Sequence, residues 1–537
     1  MQKTDLNRRQ FISRTAAGLG VMTLGGMTTL TGCNGSRKQP NILLILVDDM
    51  GYSDLGCYGS EISTPNVDSL AKDGLRFTQF YNAARCCPTR ACLLTGLYPH
   101  EAGIGEMVSA RYDMPSYQGY LNDNCMTIAE VLKGAGYKTL ISGKWHVGEH
   151  KPHWPTDRGF DRYFGIISGA ANYFDITKTK REGVVRQMAL DDKPWTPPKE
   201  GFYMTDAITD HAVEFLNKET GGGEPFFMYV AFTAPHWPLH ALPEDIAKYK
   251  GKYKMGWDEL RQQRYKKMLE MGIIDPQWKL SPRDPEALPW DDLTDAEKEL
   301  MDSKMAVYAA QIDRMDQGVG KILNKLKDLG EEENTLVLFL SDNGACHESG
   351  PLGFDNRKNG VPVGGVDSYM SYGRSWSNAG NTPFRLHKHW THEGGISTPL
   401  IARWPHVIKQ KGELTREVGH IVDIMATCVD AAGAVYPEIF KEKAIKPKRG
   451  KSLVPVFKTG KREGHDYIYW EHIGSRAVRH GKWKIVFKQQ GSAWELYDIE
   501  ADRSELNDLA DTHPEILQQL KQKYAEWVKE VGVYERG

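Results

Sequence analysis

The sequence predicts an α/β protein: a large sheet covered by helices on both faces, followed by a smaller C-terminal α+β subdomain. Three observations predict it. Short apolar runs, the mark of strands buried on both faces, alternate with segments of helical period. Several of these runs stop abruptly at carboxylate, lysine or imidazole side chains. After about Tyr436 the texture changes to short alternating runs and one terminal helix.

The first run is Asn41 to Val47 in "NILLILVDDMG", and it ends at Asp48 and Asp49. A helix follows in "STPNVDSLAKDG", with Ser63 or Thr64 as cap, Pro65 in the first turn and Gly74 at the stop. "CCPTRACLLTG" predicts a helix beginning near Thr89 or Arg90, with Cys86 just ahead of it. "TIAEVLKGAG" spaces Thr127 and Glu130 as a capping box, then leads into the strand of "YKTLISGKWHVG", which ends at Lys144 and His146. The run from Phe226 to Phe232 has His236 beyond it. A long helix, roughly Met301 to Leu329, precedes the run from Leu336 to Leu340, which ends at Asp342 and Asn343. Residues 345–381 are rich in Gly, Ser and Asn without period, the pattern of a long functional loop. "STPLIARWP" is one more strand, and basic "KEKAIKPKRGKS" a linker. Then "HDYIYWEHI", "SRAVRHGKWKIVFK" and "WELYDIEAD" predict a small antiparallel sheet, with a helix from Glu515 to Val531.

A chain of 537 residues is long enough for a large core and more than one domain. Its net charge of -2 gives no electrostatic footing for nucleic acid. Eight cysteines do not make a disulfide scaffold at this size. At the amino end, "NRRQFIS" resembles a twin-arginine export signal through Arg8 and Arg9. The stretch "AAGLGVMTLGGMTTL" is too short and too rich in Gly and Thr for a membrane span. "LTGC", Leu30 to Cys33, resembles a lipoprotein cleavage box; an ordinary secretory signal is the alternative. The expected organisation is an export or lipoprotein signal over residues 1–32, a tether over 33–39, a catalytic domain over 40–436 and the C-terminal subdomain over 437–537. The expected location is the periplasm or cell envelope, with a lipid anchor at Cys33 as the only membrane attachment.

Ligands of a doubly wound sheet bind beyond the carboxyl ends of its strands, where these polar residues collect. Asp48, Asp49, Asp342 and Asn343 are hard oxygen donors, suited to calcium or magnesium rather than zinc. Either pair alone serves equally well to cap a following helix, but adjacent carboxylates repel and favour a cation. Cys86, near a helix start and Arg90, stands where an anionic nucleophile or anionic substrate is favoured. An isolated cysteine more often only packs in a core.

The spacing of Cys86, Pro88, Arg90, Leu94, Thr95 and Gly96 resembles the signature of the formylglycine-dependent type I sulfatases, with Thr89 where serine is usual. "LVDDMGYSDLGCYG", "GKWHVG", "APHWP", "SDNG" and "KHWTHEGGISTPLIARWP" resemble that family's other site loops, and "YKMGWDELRQQRY" resembles bacterial arylsulfatases in particular. The likeness covers nearly the whole mature chain. It implies an alkaline-phosphatase-like large mixed sheet and hydrolysis of an aryl sulfate or sulfated carbohydrate. It implies conversion of Cys86 to formylglycine by a separate maturation enzyme, with Cys87 left a thiol. One hydroxyl of the hydrated aldehyde would attack sulfur, and loss of the other's proton would expel sulfate. By the same resemblance Asp48, Asp49, Asp342, Asn343 and modified Cys86 hold one calcium ion, in preference to magnesium. Arg90 and His146 orient the diol, with His146 as a candidate to take the proton that expels sulfate. Lys144 and Lys388 grip sulfate, and His236 is the leading candidate to protonate the leaving oxygen, with Lys144 or Lys388 assisting. His347, Arg374, Trp376, Trp237 and His240 are expected in loops bordering the site, as candidates for leaving-group recognition and equally for loop packing, outside the catalytic set. Ser168 is a weaker candidate contact, since a loop serine is more often solvated. The rivals are a phosphate-ester hydrolase of the same superfamily and a non-catalytic lipoprotein that binds sulfated glycan.

Overall fold

Strand β1 (Asn41–Asp48) is buried at all of its 8 positions, which explains its unbroken apolar run. Leu43, Ile45 and Val47 join one core, while Ile42, Leu44 and Leu46 join another on the opposite face. The computed structural model describes residues 39–534 apart from 111, 180–183, 358–359 and 490. The expected export signal, the Cys33 anchor and all of the tether but Gln39 lie outside these residues.

β1 sits near the middle of an 11-stranded sheet, ordered β10-β2-β9-β8-β1-β7-β3-β4-β5-β6, with β11 also on β2. The others are β2 (Leu75–Tyr81), β3 (Lys138–Gly143), β4 (Arg162–Ile166), β5 (Met188–Leu190), β6 (Lys193–Trp195), β7 (Phe226–Pro235), β8 (Thr335–Ser341), β9 (Ser397–Arg403), β10 (Glu413–Thr415) and β11 (Gly419–His420). From β8 to β4 every pairing is parallel. β9 runs antiparallel to β2 and β8, and β5 and β6 are antiparallel too, so the sheet is mixed rather than purely doubly wound. The chain leaves β8 at the carboxyl edge, loops over residues 342–396, and re-enters β9 from that same edge.

Several local expectations change. The helix Pro65–Lys72 is capped at its end by Asp73, not Gly74; a Cβ on Gly74 would lie 2.4 Å from the Ala402 carbonyl oxygen. The long helix spans Asp295–Asp328 and starts before Met301, because Thr294 and Glu297 form a reciprocal capping box. Its first turns carry little apolar pattern to mark them. Residues 345–381 contain a fully buried helix, Gly373–Gly380. Trp376 on that helix packs 5.2 Å from Trp257 and 5.9 Å from Trp290, so it belongs to the core. His240 is likewise buried, held between the Tyr173 amide and the Ser368 carbonyl. The basic linker folds partly into a ribbon of β12 (Ile439–Phe440) and β13 (Lys443–Ala444). Among the described residues the seven cysteines are unpaired and buried, and no helix is long and apolar enough to cross a membrane.

The C-terminal sheet is antiparallel, β14 (Ile468–His472), β15 (Ser475–His480), β16 (Trp483–Phe487) and β17 (Trp494–Asp498). The helix Pro514–Val531 covers one face, and the other meets Tyr81, Ala84 and Ile396. A buried ionic knot ties the two sheets. Lys484 Nζ lies 2.8 Å from both Glu393 Oε1 and Glu505 Oε1, and Arg503 Nε lies 2.8 Å from Glu393 Oε2. Removing one partner of such a set strands the opposite charges without water. Lys484→Met is expected to lower unfolding stability by about 3–5 kcal/mol in denaturant titrations; an unchanged midpoint would contradict the knot's role.

Candidate active site

The adjacent parallel strands β8, β1, β7 and β3 all end on one edge, and their next residues meet in one cluster. β1 delivers Asp48 and then Asp49, whose φ of 69° turns it back over the edge. β3 delivers Lys144 and His146, β7 delivers His236, and β8 delivers Asp342 and Asn343. His146 (φ 56°) and His389 (φ 96°) share the left-handed conformation of Asp49, which costs non-glycine residues about 1–3 kcal/mol each.

Each carboxylate meets a fixed cation. Lys144 Nζ is 2.5 Å from Asp48 Oδ2. Lys388 Nζ is 2.6 Å from Asp49 Oδ1 and 2.9 Å from Oδ2. Arg90 Nη2 is 2.9 Å from Asp342 Oδ2 and 3.6 Å from Asp48 Oδ2, while its Nη1 donates to the Lys144 carbonyl at 3.1 Å. Asn343 Nδ2 donates to Asp49 Oδ1 at 2.7 Å. His236 places Nε2 3.3 Å from Asp49 Oδ2 and Nδ1 2.6 Å from the Trp237 carbonyl, so the neutral ring carries its proton on Nδ1. Lys388 is carried by the loop before β9, which is pinned by bonds from Thr391 to Ser475 and from His392 to Glu495, both 3.0 Å. Gly344 lets that loop approach: a Cβ there would lie 1.9 Å from the Gly394 carbonyl oxygen.

Cys86 is the first residue of the helix Cys86–Thr95, with Arg85 as its cap. The helix therefore starts earlier than Thr89 or Arg90, because Pro88 falls in the first turn, where a missing N–H costs nothing. Cys86 consequently feels the helix start directly. A hydrogen bond from Cys87 draws the Cys86 thiol well below its usual pKa, helped by Lys144 and His146 and opposed by burial. Cys87 turns its sulfur toward the Glu106 carbonyl (3.8 Å) and Met107 (3.4 Å), and burial pushes its pKa up. His146 fits only because residue 169 is glycine: a Cβ there would lie 2.7 Å from its Cε1 and Nε2. Ser168, the preceding residue, is buried beside it.

The donor set fits a hard cation. Asp48 Oδ1 and Asn343 Oδ1 are buried and lack a hydrogen-bond partner among the described residues. Burial, then the neighbouring Asp48 charge, push Asp342 well above the carboxylate range in spite of Arg90, whereas Lys144 first, then His236 and Arg90, overcome burial to draw Asp48 down. A divalent ion bound there would relieve both the orphaned oxygens and the crowded charge.

Other loop residues divide. Trp237 lies against the His236 ring, with centroids 4.7 Å apart. Arg374 is spoken for by Asp284 (3.3 Å) and Glu286 (3.0 Å). The His347 ring packs 4.5 Å from Trp390, and burial lowers its pKa to about 2. Sequence reasoning missed Glu348, which joins Arg85 to Trp237; the partners lie 263 and 111 residues away, and no local pattern signals them.

A family model described as Sulfatase matches residues 40–434, and one described as N-sulphoglucosamine sulphohydrolase, C-terminal, matches residues 384–530. An uncharacterized sulfatase of Schizosaccharomyces pombe is 36% identical over 534 residues, covering 92% of this chain and 94% of its own. The arylsulfatase of Klebsiella aerogenes is 33% identical over 455 residues, covering 82% of this chain and 96% of its own. The crystal structure of Ps i-CgsB in complex with k-i-k-neocarrahexaose superposes with a TM-score of 0.66 at 28% identity, covering 91% of this chain and 92% of that one.

The oxygen cluster generates a binding prediction. Chelator-treated protein titrated with a hard divalent cation should show one site by calorimetry, and Asp342→Asn should weaken it about tenfold or more through the lost charge. Equal affinity in the variant would place the ion elsewhere.

Proposed function

This chain belongs to the sulfatase family and hydrolyses sulfate esters, and from that premise we propose that Cys86 is oxidised after synthesis to formylglycine and works beside one calcium ion held by Asp48, Asp49, Asp342, Asn343 and residue 86. The observation that carries this is the pair of buried, partnerless oxygens, Asp48 Oδ1 and Asn343 Oδ1, in the same cluster as an already anion-favouring Cys86. The aldehyde hydrate supplies an oxygen nucleophile that is regenerated when sulfate leaves, and the cation supplies charge against a sulfate oxygen.

The chain's own residues account for the rest. Lys144 and Lys388 each carry three donors and give only part of them to Asp48 and Asp49, so both retain donors for sulfate oxygens. Arg90 fixes the Asp342 carboxylate and the Lys144 main chain, which holds the grip in register. His146 accepts a proton at Nδ1, which is buried and without a hydrogen-bond partner among the described residues. Burial lowers its pKa below 6.5, so the ring is a neutral base at pH 7.

His236 gives a proton from Nε2 to the leaving oxygen, since Nδ1–H is committed to the Trp237 carbonyl. Burial lowers its pKa below 6.5 although Asp49 opposes this. Its acid form is present below that lowered value and is lost as pH rises through it. Leaving groups that need protonation should therefore be cleaved best on the acid side, with Lys144 and Lys388 as the other proton donors in reach.

The substrates are aryl sulfates or sulfated carbohydrates; the likeness to the Klebsiella arylsulfatase supports the first kind, and the match of residues 384–530 to the N-sulphoglucosamine sulphohydrolase C-terminal model supports the second. Maturation falls to a separate formylglycine-generating enzyme. Export and lipid anchoring at Cys33, for work in the periplasm or cell envelope, are supported by the Arg8–Arg9 pair and "LTGC".

Steady-state kinetics on variants tests these assignments. Cys86→Ala should abolish turnover, while Cys87→Ala should keep most of it; equal loss would move the nucleophile. His236→Ala should cost about 10²–10⁴-fold on a sugar sulfate and far less on nitrophenyl sulfate, whose leaving group needs no proton. Equal losses on both substrates would remove His236 from the acid role.

A further inference from the structure

Glu348 stands beside the site and is fixed by the chain neighbours of two catalytic positions. Arg85, next to Cys86, donates from Nη2 to Glu348 Oε1 at 2.8 Å. Trp237, next to His236, donates from Nε1 to Glu348 Oε2 at 2.9 Å. The main-chain carbonyl of Glu348 accepts the Ser371 hydroxyl, which ties this residue to the later part of the loop. The carboxylate thus spans from the flank of the nucleophile to the flank of the leaving-group acid. Each of its oxygens accepts one of these bonds and has capacity for another. Its side chain is 23% exposed, whereas those of Asp48, Asp49 and Asp342 are at most 1% exposed. Beside it, Trp237 lies 5.4 Å from Phe354 and 6.2 Å from Tyr369, centroid to centroid, an aromatic wall on the His236 side.

Beyond its bonds to Arg85 and Trp237, a partly exposed carboxylate in a pocket that receives an anion favours a substrate that brings a donor to it. A hydroxyl meeting a carboxylate makes a charge-assisted hydrogen bond. A second sulfate at the same place meets like charge, which discriminates by repulsion. Building on the function proposed above, we propose that Glu348 selects the leaving group: it takes a hydrogen bond from a hydroxyl adjacent to the ester oxygen and turns away a second sulfate there, while Trp237 and Phe354 lie along the ring. The preferred substrate class is a singly sulfated ring, aromatic or sugar, with a free hydroxyl beside the ester.

Catechol esters isolate this contact. Converted wild-type protein, Glu348→Gln and Trp237→Phe would be compared for kcat/KM on catechol monosulfate, catechol bis-sulfate and phenyl sulfate. Wild type should favour the monosulfate over both others. Glu348→Gln keeps the shape, removes the charge and leaves Arg85 uncompensated, so the monosulfate to bis-sulfate ratio should fall about tenfold. Trp237→Phe keeps the ring but frees the carboxylate, and should lower the ratio by a smaller factor. A ratio unchanged in Glu348→Gln overturns the proposal, as does an equal loss on all three esters, which would make Glu348 scaffolding. Converted wild-type protein that cleaves none of these esters and no sugar monosulfate either overturns the underlying function as well, and so separates the two failures.

Discussion

Three carboxylates, Asp48, Asp49 and Asp342, are packed out of water at the carboxyl edge of the sheet, and the rest of the molecule is arranged to make that tolerable. Each acid meets a cation from a different part of the chain: Lys144 from the end of β3, Arg90 from the helix begun by Cys86, and Lys388 from the loop before β9. Even so, Asp48 Oδ1 and Asn343 Oδ1 lack partners among the described residues. A cluster with all of its fixed cations in place and oxygens to spare fits one more positive ion, as proposed above. The left-handed residues Asp49, His146 and His389 are strained positions that only a deeply packed, two-faced core can hold.

The C-terminal sheet has a part in this that its distance along the chain conceals. Lys388 rides on a loop whose following residues Thr391, His392 and Glu393 are bonded to Ser475, Glu495 and Lys484. The small subdomain thus holds one of the lysines of the cluster. The second family match, over residues 384–530, begins at this loop rather than at the first strand of the small sheet.

Much of this was legible in the sequence. Parallel strands buried on both faces are apolar at every position, so β1, β7 and β8 stand out, and the abrupt change to Asp, His or Asn marks the working edge. Thr127 and Glu130 announce their helix because a capping box is local. What was hidden is mostly non-local or lies where local rules are permissive. The helix begins at Cys86, ahead of Thr89, since the first turn tolerates the proline at position 88. The sequence leaves Trp376 open between site wall and packing because aromatics suit both, and only its packing on Trp257 decides. Lys388 has no strand end to point to it and came from family likeness alone. The Arg85–Glu348–Trp237 bridge joins three loops that no spacing relates.

The central claim is that residue 86, once oxidised, is the working group of a cluster that already favours an anion there. Mass spectrometry of the peptide carrying residue 86, set against specific activity across preparations of differing conversion, tests it most directly. Active protein should show sulfur and two hydrogens exchanged for one oxygen at that residue, and activity should rise in proportion to the converted fraction. Full activity in protein whose Cys86 is an intact thiol would contradict the account.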